Sequence, residues 1–533
     1  MPSASSAQRS GRSAALVGAG ILLSRLFGLL RQRALSHYLG LSDAADAFNA
    51  AFRIPNFLQN LFGEGVLSAS FIPVYARLRA AAEDREAGRV ANAVLGLLAL
   101  VTAGIVALGV TLAGPLTDAI APGFAGAKRD LTVLLVRILF PGAGLLVLAA
   151  WCLGVLNSHR RFFLSYAAPV AWNLAIIGAL LWQGPRHDAS GAVLAAAWGA
   201  VAGSALQFGI QLPTVVRLLG ALRPRLEFRS APVRQVLKQF VPVFIGRGVV
   251  QISAFVDTII ASLLPGGAVA GLASAQMLYT LPVSLFGMSV SAAELPELAG
   301  TAARGEGAHE ALRHRLDTGL RRIAFFVVPS AAAFLGLGAV IAAALFQTGR
   351  FSAADSRYVW GILAGAAVGL LAATLGRLYA SAYYALHDTA TPLRFALARV
   401  ALGSALGYST AVHLPTLLGL EPRWGAVGIT ASAGVAAWVE FSLLRRTLNH
   451  RIGATGLPGN LMVRLWAAAL AALGVALGAD RLAGPLSPVL RAALVLIPFG
   501  LVYLALTAWL GVPEGRALAS RVVRMRGPRR GTD

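Results

Sequence analysis

Charged residues are scarce in this sequence: Asp, Glu, Lys and Arg make up 13% of the chain, against about 25% in soluble globular proteins. Hydrophobic residues account for 57% of the 533 positions, which is typical of a chain that crosses a bilayer many times. Lysine is almost absent, with Lys128 and Lys238 alone, so the net charge of +23 comes from arginine. Because the arginines lie in short clusters between apolar stretches, they do not form the basic patch of a nucleic-acid-binding protein.

Cysteine and the common catalytic motifs are also missing. The single cysteine, Cys152, excludes a disulfide within the chain and argues against a thiolate metal cluster. No phosphate-binding G-x-x-x-x-G-K-[ST] loop is present, and the spacing of His309-Glu310 to His314 is one residue too long for the zinc motif H-E-x-x-H. We therefore expect a protein that is not an enzyme and has no metal site or cofactor. Any work it does would draw on the membrane potential, a cation gradient or the gradient of its substrate.

Apolar runs of spanning length recur along the chain, since a transmembrane helix needs about 20 mostly apolar residues. They predict an all-α polytopic membrane protein with about fourteen transmembrane helices. The predicted spans are 14–38, 44–72, 91–113, 131–156, 163–182, 191–216, 238–263, 268–298, 320–345, 356–385, 392–413, 425–447, 461–479 and 488–511.

The arginines between these spans concentrate in alternate loops, notably those after the second, fourth, sixth, eighth and twelfth spans. Loops rich in arginine and lysine stay on the cytoplasmic side of a membrane. This rule places both termini in the cytoplasm, in agreement with the basic start MPSASSAQRSGRS and the basic end RVVRMRGPRR. The start has no clean apolar core of a cleavable signal peptide.

A short internal repeat relates the second and eighth spans. Leu61-Phe62-Gly63-x-x-Val66 returns 224 residues later as Leu285-Phe286-Gly287-x-x-Val290. Both spans are expected to run from outside to inside, so the repeat predicts two parallel six-helix lobes related by a pseudo-two-fold axis. Two further helices follow the second lobe. The predicted divisions are a cytoplasmic tail at 1–13, an N-lobe at 14–216, a basic linker at 217–237, a C-lobe at 238–447, the last two helices at 448–511 and a basic tail at 512–533.

The second span carries an unusual polar stripe. Its polar residues fall within roughly 80° of arc on one helix face, opposite an apolar face. A charge that faces lipid costs several kcal/mol, so the stripe is expected to line a polar cavity and its gate. Hydrogen bonding between helices is the alternative role for the asparagines. The stripe consists of Asp46, Asn49, Arg53, Asn56, Asn60 and Glu64.

Arginines also occur inside neighbouring spans. Arg25 lies some 15 Å from either end of the first span by helix rise, too deep to reach an interface easily. Arg31 lies on the same span, and the seventh span carries Arg247 with Asp257, which form either a structural pair or part of the cavity. Because arginine forks match phosphate, an interior lined by Arg25, Arg31, Arg53 and Arg247 predicts an anionic substrate. Thr391-Pro392 is read as the cap and first residue of the eleventh helix.

Five segments of the chain resemble the MurJ (MviN) family of lipid II flippases, within the multidrug/oligosaccharidyl-lipid/polysaccharide exporter superfamily. The resemblance implies fourteen helices, two six-helix lobes and a last helix pair that shapes a groove for a lipid tail. It also implies movement of an undecaprenyl-diphosphate-linked disaccharide-pentapeptide, lipid II, to the outer leaflet of a bacterial inner membrane by alternating access. Partners would be lipid II and the bilayer, with cell-wall synthesis proteins as unknown further candidates. The segments are SRLFGLLR at 24–31, DAFNAAFRIPNFLQNLFGEGVLSASFIPV at 46–74, DTIIAS at 257–262, ALFQTGRFSAADS at 344–356 and YYALHDTATP at 383–392.

The resemblance assigns roles and also shows two departures. Arg25 and Arg31 match family arginines that bind the diphosphate, and Asp46 and Glu64 match family acids. A basic pair that the family often has is here Gln59-Asn60, and Met277 stands where an arginine is common. We hypothesise that Arg53 and Arg247 replace the lost charge.

Three other functions stay open at this point. One is a flippase or exporter of another polyprenyl-linked glycan. Another is a drug exporter of the same superfamily, although acidic rather than basic cavities suit cationic drugs. The third is a membrane scaffold that transports nothing, which the charges missing at Gln59 and Met277 keep under consideration.

Overall fold

The computed structural model describes residues 4–62, 64–302 and 308–526, and over 4–19, 245–254 and a few other helical positions it describes the backbone alone. Every regular element in this part of the chain is helical, which confirms the all-α prediction. Helices satisfy their own backbone hydrogen bonds, and this makes them suitable for crossing lipid. The chain divides into two compact units, Met1–Ala270 with Thr348–Phe351, and Gly271–Gln347 with Ser352–Asp533.

The first unit contains nine helices in its described residues. A short 3-10 turn at Gly184–Arg186 joins the seventh and eighth. The helices are α1 (Ala4–Leu39), α2 (Asp43–Phe62), α3 (Glu64–Ala80), α4 (Asp84–Thr111), α5 (Ala113–Ile120), α6 (Gly126–Ser158), α7 (Phe162–Gln183), α8 (Ala189–Leu219) and α9 (Ala231–Ser262).

The second unit begins within α10 and carries the rest of the helices. Its irregular elements are a π-helical segment at Val283–Met288 and a 3-10 turn at Pro422–Trp424. The helices are α10 (Ala268–Pro282), α11 (Ser289–Ala302), α12 (Ala308–Phe346), α13 (Ala353–Ala385), α14 (Ala390–Val412), α15 (Leu414–Leu417), α16 (Gly425–Ile452), α17 (Gly459–Leu482), α18 (Pro488–Trp509) and α19 (Pro513–Arg526).

Eleven helical stretches of the described chain are long and apolar enough to cross a membrane. They coincide with eleven of the predicted spans, and the other three predicted spans correspond to α1, to α2 with α3, and to α9. These three carry the intramembrane charges that lowered their hydropathy in the sequence. The total of fourteen stays a prediction, as do the predicted lobes. By its contacts α9, expected to open the second lobe, belongs to the first unit.

The predicted second span corresponds to α2 and α3, with Gly63 between them outside the described residues. The stripe residues from Asp46 to Asn60 lie on α2, and Glu64 is the first residue of α3. The second copy of the repeat contains an irregularity, the π-helical segment Val283–Met288. Such segments are rare and often mark functional positions.

The start of α14 also differs from the sequence-based expectation. The helix begins at Ala390, ahead of Thr391, and the N-cap residue Thr389 gives no side-chain cap, so the carboxylate of Asp388 takes that role. Asp388 accepts hydrogen bonds from the backbone N–H and the hydroxyl of Thr391, at 3.0 and 2.7 Å. Arg451 at the end of α16 donates to the same carboxylate at 2.7 Å. A short acidic side chain just before a helix satisfies backbone donors better than a threonine inside its first turn.

Candidate functional site

Arg31 lies over an aromatic shelf in the first unit. Its guanidinium carbon is 4.9 Å from the ring centroid of Trp172 on α7 and 5.6 Å from that of Phe52 on α2. The two rings stack on each other at 5.5 Å. The Nε of Arg31 is buried and has no hydrogen-bond acceptor among the described residues. The shelf therefore holds the charge by cation–π contact and leaves guanidinium donors for an anionic ligand.

Arg53 has a different neighbour from Arg31. It interacts electrostatically with Asp257 on α9, which identifies the partner that its position on α2 left open. The two helices touch nearby through Phe57 and Phe255, whose rings meet edge to face at 5.4 Å. Because Phe52 and Arg53 are consecutive, they point about 100° apart around α2. Arg31 and Arg53 thus lie against different faces of one helix, and the charge of Arg53 is partly offset by a carboxylate.

The other polar candidates vary in exposure. Arg25 is exposed on α1, although it also has an interaction within the chain. Asn49 is half-buried and donates to the carbonyl of Ala45 at 2.8 Å, while Asn56 and Asn60 are exposed. The apolar face of α2 is buried as expected. The side chains of Glu64 and Arg247 lie outside the described residues.

Asp46 is the most enclosed charged group of the stripe, with 1% of its surface exposed. Its carboxylate accepts hydrogen bonds from the backbone N–H groups of Gly267 and Ala270, each at 2.8 Å, at the start of α10. Lys128 donates to it at 2.6 Å and also reaches Asp43 at 2.9 Å. The carboxylate therefore caps a helix from a distant position in the chain. Sequence reasoning did not assign a role to Lys128, and its rarity as one of two lysines was the available signal.

The second unit has its own intramembrane charges, which sequence reasoning left unassigned. The Nε of Arg399 on α14 lies 2.9 Å from a carboxylate oxygen of Glu440 on α16. Arg377 on α13 interacts electrostatically with Glu440 and with Tyr279 on α10. The cluster thus contains two arginines and one carboxylate. Each is a lone charge in an apolar run, and that isolation was the signal in the sequence.

An apolar cavity of about 450 Å³ lies between α10, α12 and α18 in the second unit. Phe286 and Phe326 stack on its wall with ring centroids 4.5 Å apart, and the hydroxyl of Tyr503 donates to the carbonyl of Phe325 at 2.6 Å. The only polar side-chain atoms among its lining residues are hydroxyls. Such a lining suits a hydrocarbon chain. Within the described residues, no cluster of His, Cys, Asp or Glu could hold a metal ion.

Comparison with known proteins gives concordant results. The family model described as "Lipid II flippase MurJ" matches residues 35–504. A probable lipid II flippase MurJ from Rhizobium meliloti (strain 1021) is 35% identical over 97% of this chain and 96% of that protein. A lipid II flippase MurJ from Burkholderia cenocepacia is 33% identical over 85% of this chain and 87% of its own length.

Solved structures agree at the level of the fold. A lipid II flippase MurJ in an inward closed conformation superposes with a TM-score of 0.74 at 22% identity, over 93% of this chain and 98% of that one. An inward-facing multidrug resistance MATE family transporter of the MOP superfamily superposes with a TM-score of 0.63 at 20% identity, over 80% of this chain and 95% of that one. With its many membrane-crossing helices and a family match over most of its length, the chain belongs to the MurJ family of lipid II flippases.

Proposed function

We propose that this protein moves lipid II across the bacterial inner membrane, from the cytoplasmic to the outer leaflet, by alternating access. The observation that carries the proposal is the family match over residues 35–504. The relatives from Rhizobium and Burkholderia, both named as lipid II flippases and matched over most of their length, support it. The MATE family transporter shares the fold at 20% sequence identity, close to the 22% of the solved MurJ structure. A fold alone does not assign a substrate.

The diphosphate of the substrate is the group that the arginines would recognise. Arg31 is held over the rings of Trp172 and Phe52, so its guanidinium is positioned before a ligand arrives. Preorientation of this kind lowers the entropy cost of binding. Arg25, about 1.7 turns earlier on α1, would supply a second cation. The polyprenyl tail would place part of its length in the apolar cavity between α10, α12 and α18.

Arg53 would contribute less charge than its position on α2 suggested. Its electrostatic interaction with Asp257 leaves the pair near neutral until a ligand competes for the guanidinium. We keep the hypothesis that Arg53 and Arg247 replace the charge absent at Gln59 and Met277. If Arg247→Ala leaves flipping intact while Arg25→Ala abolishes it, the part of the hypothesis that concerns Arg247 is wrong.

We further propose that both termini are cytoplasmic, as the arginine-rich loops indicate. No cofactor is part of this mechanism. The transport cycle would be coupled to the membrane potential or to a cation gradient, because the sequence has no nucleotide-hydrolysis motif.

The test is rescue of a bacterium depleted of its own flippase. The wild-type chain should restore growth and stop the accumulation of lipid II. Arg31→Ala should fail at an equal level in the membrane, and Arg31→Lys should fail too, since lysine keeps the charge but loses the planar stacking fork. Arg89→Ala, which changes an exposed arginine near the start of α4, is the control.

Two results would contradict the proposal. A wild-type chain that reaches the membrane at the normal level without rescue would favour a scaffold. Rescue of growth with continued accumulation of lipid II would show that a different activity sustains the cells. Purified protein in proteoliposomes provides the direct measurement, as the fraction of labelled lipid II that becomes accessible from the far leaflet.

A further inference from the structure

A second cavity in the second unit differs from the lipid-tail cavity because charged groups line it. It encloses about 380 Å³ beside the last turns of α12, the first turns of α13 and the connection from α17 to α18. Its polar lining comes from Gln347, Ser356, Arg357, Trp360, Asp480 and Arg491. None of these residues was part of the predicted substrate site.

One of the two arginines is held firmly in place. Arg491 at the start of α18 donates from Nε and Nη2 to the two carboxylate oxygens of Asp480, at 2.6 and 2.9 Å. This bidentate arrangement is the strongest geometry for such a pair. It fixes the guanidinium at the cavity and leaves its remaining amino group, Nη1, without a role in the pair.

The other arginine has no such partner. Arg357 on α13 forms no hydrogen bond or ion pair with any residue that the structure describes. The lining therefore contains two guanidinium groups and one carboxylate, each of whose oxygens already accepts a hydrogen bond from Arg491. The resulting net charge of +1 is complementary to one singly charged anion, such as a phosphodiester.

The rest of the lining is mostly apolar. Gly336 and Ala339 of α12 contribute to it, and the indole of Trp360 donates to the carbonyl of Leu335 at 2.9 Å. Gly338 lets this ring approach, because a Cβ there would lie 2.5 Å from the indole Cδ1. The cavity thus has a cationic side and an apolar side edged by tryptophan, a combination found where proteins meet the headgroup layer.

The position along the helices matches that layer. The 24 residues of α17 span about 36 Å by helix rise, longer than a hydrocarbon core of about 30 Å. Asp480 lies in the last turn of α17 and Arg491 in the first turn of α18, so both lie at the depth of lipid phosphates. This holds for either orientation of the chain in the membrane.

We propose that this cavity binds the headgroup of an anionic phospholipid, with the phosphodiester between Arg357 and Arg491 and the start of an acyl chain against α12. A phospholipid with no net charge fits less well, because its ammonium group would meet arginines and a carboxylate already occupied. This site is distinct from the proposed lipid II site and does not depend on the proposed flippase activity.

The experiment is native mass spectrometry of the purified full chain with added phosphatidylglycerol or phosphatidylethanolamine. Wild type should retain phosphatidylglycerol preferentially. Arg357→Gln should weaken that retention about tenfold, the effect of one lost charge-assisted contact. Arg481→Gln, which changes an exposed arginine at the same depth outside the lining, should leave it unchanged.

Two variants separate binding from structure. Arg491→Gln and Asp480→Asn break the same ion pair, but the first lowers the charge of the cavity and the second raises it. Retention of phosphatidylglycerol should fall with Arg491→Gln and stay equal or rise with Asp480→Asn. A parallel loss in both variants would show that the pair is only structural, and equal retention of the two lipids by wild type would also overturn the proposal. If added undecaprenyl diphosphate displaced the bound phosphatidylglycerol, and added phosphatidylglycerol did not displace undecaprenyl diphosphate, the cavity would belong to the substrate instead.

Discussion

Two carboxylates inside the helical bundle, Asp46 in the first unit and Glu440 in the second, are held in very different ways. Asp46 is 1% exposed and accepts from two backbone N–H groups and Lys128. Glu440 has 18% of its side chain exposed and faces one arginine, Arg399, at 2.9 Å. The Nε–H of Arg399 is buried but is not aligned for a hydrogen bond. One carboxylate is fully satisfied and the other is not.

The difference separates two uses of charge in a membrane protein. Burying a carboxylate is costly unless donors surround it, and Asp46 meets that condition by capping α10. It is therefore part of the architecture. Glu440 belongs to a cluster with Arg399 and Arg377 that keeps an unsatisfied donor and a net positive charge. Such a cluster is expected to respond to solvent, ions or substrate more than to contribute to stability.

The strongest test of this comparison is Asp46→Asn. The change leaves Lys128 with only the exposed Asp43 as its acid and weakens the cap on α10. Breaking a buried pair in this way should lower the free energy of unfolding by about 3–5 kcal/mol. The measurement is the thermal midpoint of the purified protein in detergent. Asp43→Asn is the matched control and should cost less than about 1 kcal/mol, because that side chain is 66% exposed. Equal losses of stability in the two variants would show that Asp46 does not contribute more to the fold than the exposed Asp43.

The next prediction concerns the helix that carries Glu440. At Gly369 of α13 and Gly434 of α16 the two backbones touch, and a Cβ on Gly369 would lie 2.3 Å from the Cα of Gly434. Gly369→Ala should push the helices apart and cost about 1–3 kcal/mol by overpacking. Thermal unfolding measures the loss. Gly474→Ala, where a Cβ meets nothing within 4 Å, is the control. A Gly369→Ala protein as stable as the control would show that α13 and α16 tolerate a wider separation.

A smaller effect is expected from the Arg399–Glu440 pair itself. A double-mutant cycle with Arg399→Gln and Glu440→Gln should give a coupling energy of about 1 kcal/mol, at the low end for contacting residues. A coupling as large as the loss in Asp46→Asn would break the distinction between the two carboxylates. The same variants, tested for rescue, show whether the cluster has a role in transport.

The smallest effect concerns Asp388, in the loop between α13 and α14. Hydrogen bonds from the backbone and hydroxyl of Thr391, and then the pair with Arg451, lower the pKa of Asp388 to about 2. The pKa of an aspartate in an unfolded chain is about 3.9. The stabilisation is therefore complete above that pH and is lost as the pH falls toward 2. Asp388→Asn should cost under about 1 kcal/mol at neutral pH, because the Arg451 partner is 43% exposed and solvent screens the pair.

The measurement is the difference in thermal midpoint between wild type and Asp388→Asn across acid pH. The difference should shrink between pH of about 4 and about 2. A constant difference over that window would show that the cap does not depend on the charge of Asp388.

Sequence reasoning located the helices well and the polar contacts poorly. Apolar length predicted the spans because each helix must cover the same thickness of lipid, whichever helices surround it. It also found the apolar face of α2, which is buried. It chose Thr391 as a cap, because helix boundaries depend on one or two local hydrogen bonds that apolar length does not report.

The sequence by itself determined that this is an all-helical membrane protein and which family it belongs to, since both depend on patterns along the chain. The tertiary structure decided which charges meet. Asp46 and Ala270 are 224 residues apart, and Arg399 and Glu440 lie on separate helices. An intramembrane charge must find a partner in three dimensions, because lipid supplies none. That partner can come from any helix, so spacing along the chain does not reveal it.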